Sequence, residues 1–149
     1  MSAGNAAAVA ITLVGGIAGT VQVAVMGRFG DRIGIFPAFA FATTVTAVIG
    51  ALLLLGARRS FVGYGDAVHS PAWMWLGGLM GAIVVLGITF AAPRIGTTAT
   101  VAFFVFAQFA AAAVVDRYGL FGLDRIPIGA ARIAGLVLLA VGAGLTLKK

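Results

Sequence analysis

Apolar residues fall along this chain in five long runs separated by short polar connections. The clearest run lies between Pro71 and Arg94, PAWMWLGGLMGAIVVLGITFAAPR, and holds no charge before its last residue. At 1.5 Å per residue its apolar interior extends roughly 30 Å, the thickness of a bilayer's hydrocarbon core. Trp73 and Trp75 sit at one end as headgroup-level aromatics, and Pro93-Arg94 closes the other. The five runs predict helices over about 6–27, 35–56, 72–92, 97–115 and 128–147, an all-α polytopic membrane protein forming a single transmembrane domain over residues 1–149. Gln22 is the only strongly polar side chain of the first run. Pro37 falls in the first turn of the second, where a missing N–H is harmless. Thr43, Thr44 and Thr46 can bond back to their own helix, and Phe103, Phe104, Phe106 and Phe109 surround Gln108 in the fourth run. Between the second and third runs lies the longest connection, with Arg58, Arg59, Asp66 and His69.

Composition agrees with the pattern. Only 9% of the 149 residues are charged and 62% are hydrophobic, against about a quarter charged in soluble domains. The net charge of +6 comes from basic residues placed singly or in pairs at the ends of apolar runs, so it reads as topology and lipid-headgroup charge and not as a nucleic-acid surface. Cysteine is absent, which excludes a disulfide framework, a thiolate metal site and a thiol nucleophile. The first run lacks a basic leader and is too long to be only the apolar core of a signal peptide. We expect a bacterial-type inner-membrane location, with the lipid bilayer as partner and no nucleic acid.

Five spans place the termini on opposite sides, and the basic residues then divide evenly. Arg58, Arg59, Arg117, Arg125 and Arg132 lie on the amino-terminal side; Arg28, Arg32, Arg94, Lys148 and Lys149 lie on the other. An excess of Lys and Arg normally fixes orientation, and here there is none. Either the insertion machinery weights one loop pair, or the chain inserts both ways and forms an antiparallel dimer or pairs with an oppositely oriented paralogue. Tyr64, Trp73, Trp75 and Tyr118 all fall on the amino-terminal side, so an antiparallel pair would give aromatic belts to both interfaces.

A Gly-rich first helix with Gln22, the Pro37 entry, Trp73-X-Trp75-Leu-Gly-Gly-Leu-X-Gly81, Pro93-Arg-Ile-Gly96 and Asp116-Arg-Tyr-Gly-Leu-Phe-Gly122 follow one another in an order that resembles the half-size, five-helix YdcZ-type family of the drug/metabolite transporter superfamily. The resemblance covers nearly the whole chain. It implies a secondary transporter of a small molecule and one five-helix repeat whose inverted counterpart must come from a second chain. Where the family often has Asn one turn after the Gln of helix one, this chain has Met26.

An inverted assembly of this kind places a substrate site near the bilayer midplane, lined by the few polar groups buried there. Gln22 lies roughly 9 Å inside Arg28 and Gln108 roughly 12 Å below Asp116, so both amides fall within the hydrocarbon zone. They are candidate substrate contacts, and each is also explained as a hydrogen bond between helices. Phe104, one turn from Gln108, and Trp75 are candidate aromatic walls, and Arg94 a candidate anion contact. Asp116 and Arg132 are candidates for ion coupling or for an interfacial ion pair. With no carboxylate deep in a span, neutral or anionic cargo is favoured over a hydrophobic cation. Gly15/Gly19 and Gly77/Gly81 have the spacing of close helix packing, although 22 glycines produce such pairs by chance. His69 has no partner pattern. No nucleophile constellation, metal-ligand set, phosphate loop or paired acid is present, so neither an enzyme nor a cofactor or metal is expected. The competing class is a non-transporting assembly or scaffold component whose polar residues only hold helices together.

Overall fold

A computed structural model describes residues 3–58 and 62–147; Arg59, Lys148 and Lys149, counted above among the flanking charges, lie outside the described residues. The chain is all-helical: α1 (Ala3–Ile33), α2 (Ile35–Arg58), α3 (Val62–Val68), α4 (Leu76–Ile95) preceded by a 3-10 turn over Ala72–Trp75, α5 (Thr97–Tyr118) and α6 (Ala130–Leu145). Among the described residues, four segments, Asn5–Ile33, Ile35–Ala57, Ala72–Ile95 and Thr97–Tyr118, have the length and composition of membrane spans. Ala130–Leu145 is apolar but shorter. The molecule is therefore a polytopic membrane protein. It divides into two compact units, one of Val25–Pro93 and one joining Met1–Ala24 to Arg94–Lys149.

In the first of these units the break after α1 falls at Gly34 alone. Residues Arg28 to Ile33, expected as a connection, stay helical: the stretch has no proline to remove a backbone donor, and its one glycine, Gly30, keeps the helical conformation. Gly34 does, at φ 92°; its N–H bonds Gly30 O at 2.9 Å, and its own carbonyl accepts from Ala38 N at 3.2 Å to start α2. At 31 residues α1 is roughly 46 Å long, several turns more than a bilayer's hydrocarbon core requires, and its charges fall in the last turns. Those turns pack on the end of α4. A Cβ placed on Gly27 would lie 2.8 Å from Ala92 Cβ, and one on Gly30 2.7 Å from Thr89 Cγ2. Thr89 is fully buried, with its hydroxyl donating to Val85 O. Phe29 meets Phe41 of α2 edge to face at 5.6 Å. In α2, Thr43, Thr44 and Thr46 donate to the carbonyls of Phe39, Ala40 and Ala42, which satisfies the hydroxyls within the helix.

Pro93, expected to end its helix, lies inside α4, which continues to Ile95 and stops at Gly96 with φ 83°. The proline leaves the Thr89 carbonyl without its usual i+4 donor. That carbonyl sits beside Gly30, 3.4 Å from where a Cβ would stand, so the vacated turn of α4 coincides with the seam against α1.

The other unit is built on α5 packed against α6. Ala113 and Ala143 are buried in it, small residues that let helix backbones approach without a hydrophobic driving force in lipid. The reversal between them uses three residues of positive φ within four positions. Gly119 caps α5 at φ 61°, Phe121 holds φ 61° and Gly122 φ 81°, after which Leu123 runs extended and Ile126 N returns to bond Asp116 O at 2.9 Å. Pro127 disfavours helix in Ile126, and α6 begins at Ala130, after Gly129 in extended conformation, two residues later than the apolar pattern alone indicates. Gly119 is constrained twice, because a Cβ there would meet both Leu123 O and Arg125 Cγ at 2.8 Å. Gly119→Ala is expected to destabilise the protein by about 2 kcal/mol or more, read as a lowered thermal midpoint in detergent.

Candidate functional site

Gln22 and Gln108 belong to the same unit, on α1 and α5. Both side chains are exposed, and neither has a hydrogen-bond partner among the described residues. They are thus not tied to each other. An amide taken from water into hydrocarbon without a partner costs about 2–7 kcal/mol, so an exposed amide deep in a span demands something polar outside this chain's own contacts. Phe104, one turn before Gln108, is half-buried on α5. Arg94 is exposed near the end of α4.

Asp116 and Arg132 do meet: Arg132 Nη2 donates to Asp116 Oδ2 at 2.8 Å, with the two side chains 30% and 25% exposed. The pairing follows from the reversal just described. Asp116 lies in the last turns of α5, its carbonyl accepts from Ile126 N, and the returning chain places the first turn of α6, with Arg132, alongside it. The second guanidinium nitrogen, Nη1, is buried and has no acceptor among the described residues.

Trp75 lies elsewhere, in the other unit, where it lines a wide-mouthed cleft of about 600 Å³ with Tyr64, Val68, Ser70, Met74 and Gly78. That volume is within the range of small-molecule pockets. The cleft forms where the short α3 meets the 3-10 entry to α4, and the hydroxyl of Ser70 in its lining is turned to the local backbone. Ser70 Oγ donates to Asp66 O at 3.1 Å, and His69 Nδ1 lies 2.8 Å from Gly65 O. Met74 neighbours Trp75 in the same 3-10 turn, but no spacing signal joins Tyr64, on α3, to them.

The glycines divide differently from their spacing. A Cβ on Gly15, Gly19, Gly77 or Gly81 would meet no atom within 4 Å, whereas the intimate helix approach within the chain is made by Gly27 and Gly30.

An all-helical chain with several apolar helices of membrane-spanning length belongs to the class of polytopic membrane proteins. Residues 7–145 match the family described as "Putative inner membrane exporter, YdcZ", and the chain belongs to this family of the drug/metabolite transporter type. No curated protein and no solved structure matches it. The protein is accordingly a multi-pass inner-membrane protein of an exporter family.

Proposed function

We propose that the protein is a secondary transporter of a small molecule that works as an inverted assembly of two chains, with Gln22, Gln108 and Phe104 lining a site near the bilayer midplane. The observation that carries this reading is the pair of exposed amides, each well inside a span and each without a partner among the described residues. A second, upside-down copy supports their burial without sealing them, because two inverted repeats meet at the midplane and leave a cavity there that opens to alternate sides. The even division of flanking Lys and Arg favours an identical chain as the second half, since neither orientation is preferred.

Paired reporters fused after Lys149, one active only in the cytoplasm and one only outside it, test this directly. Both are expected to be active in the same cell population at comparable levels. A signal from one reporter alone would rule out an antiparallel pair of identical chains.

A further inference from the structure

Arg132 Nη1 is the buried side-chain nitrogen that finds no acceptor among the described residues. A guanidinium presents its donors as a planar fork that fits the two oxygens of a carboxylate or phosphate side by side. Asp116 engages the fork through Nη2 only. Its backbone is fixed in α5 and by Ile126, which restricts how far the carboxylate can slide to cover the second nitrogen. Around the pair the reversal carries Arg117, Asp124 and Arg125, so the five charged groups sum to a net positive end of the bundle. The pair also lies at the polar end of α5, where an oxyanion can arrive from water or from the headgroup layer.

We propose that Arg132 is an oxyanion-binding residue: a phosphate or carboxylate group takes both nitrogens of its guanidinium and displaces Asp116, which serves as the resident competitor. Where the oxyanion is carried by cargo, this rests on the transport reading and names the class of cargo as anionic. Where it is a lipid headgroup, it does not depend on transport.

The test uses the full chain in nanodiscs and follows the thermal midpoint by the fluorescence of Trp73 and Trp75, since a ligand bound only by the folded state raises it. One arm adds inorganic phosphate to phosphatidylcholine discs at constant ionic strength; the other replaces phosphatidylcholine stepwise with phosphatidylglycerol. The wild-type protein is expected to show a saturable rise in at least one arm, which identifies the source. Arg132→Gln should weaken that response about tenfold or more, as expected for loss of a charge-assisted pair. Asp116→Asn should strengthen it by a similar factor, because the competing charge is gone. A merely structural clasp makes a different prediction: both variants lower the midpoint and neither alters its dependence on phosphate or phosphatidylglycerol. That result, or equal responses from wild type and Arg132→Gln in both arms, overturns the proposal. Binding is read without flux, so a protein that binds oxyanion but moves nothing removes the transport reading and leaves this one standing.

Discussion

Gly30→Leu is expected to yield no stable folded protein, and Gly30→Ala to lower the thermal midpoint by the equivalent of about 1–3 kcal/mol, the usual cost of overpacking a closed interface. The added Cβ would stand 2.7 Å from Thr89 Cγ2 and 3.4 Å from Thr89 O, and neither neighbour has room to yield. Thr89 is β-branched, fully buried and bonded through its hydroxyl to Val85 O, so rotating the methyl away breaks that bond. Its carbonyl is main chain. Gly27→Ala should behave alike, since it meets Ala92 Cβ, an atom with no rotamer, at 2.8 Å. The contrast lies in the glycines with canonical spacing. Alanine at Gly15, Gly19, Gly77 or Gly81 touches nothing within 4 Å and removes backbone freedom from the unfolded chain, so each should leave the single chain's midpoint unchanged or raise it by up to about 1 kcal/mol. Unfolding in detergent of all six alanine variants checks the division; an unchanged midpoint for Gly30→Ala would remove the seam between α1 and α4 from the account of stability.

Those six glycines also show which parts of the fold could be read in advance. Run length and the absence of charge identified every long helix, because in lipid the backbone must satisfy its own hydrogen bonds and few alternatives exist. Helix ends were less legible. The segment Arg28 to Ile33 looks polar enough to be a connection, yet polarity alone does not break a helix, and the chain turns only where Gly34 supplies positive φ. Pro93 is tolerated inside α4 for the converse reason, since one lost donor does not end a helix and Gly96 does. Spacing of glycines along one helix says nothing about which face meets a neighbour, so Gly27 and Gly30 do not stand out among the chain's 22 glycines. The candidate site divides the same way. Asp116 and Arg132 stand out in sequence as charges at two helix ends flanking one reversal, and they form a pair at 2.8 Å. The cleft around Trp75 depends on how α3 meets α4, which no local pattern encodes.

Cysteine placed at Gln22 or Gln108 should react with a small, membrane-impermeant maleimide at least about a hundredfold faster than cysteine at Ile17 or Leu138. The thiolate is the reactive form and it does not persist in hydrocarbon, so the rate reports whether water reaches the position. The chain has no cysteine of its own, and each variant therefore carries a single thiol. Ile17 and Leu138 are the proper controls because they are 67% and 72% exposed within spans or apolar helices and carry no polar group, as expected of lipid-facing positions. Exposure within the single chain does not by itself distinguish lipid from cavity, whereas reactivity does. If the amides face a cavity, Gln22→Leu and Gln108→Leu should insert and assemble normally, since leucine is better suited to a span than glutamine, while any flux catalysed by the wild-type protein falls about tenfold or more. If they are instead interhelical bonds that hold the assembly, the cysteines stay unreactive and the leucine variants lose the dimer on cross-linking. Unreactive thiols together with intact dimers would leave the amides neither a site nor a joint, and the midplane cavity would have no residue to support it.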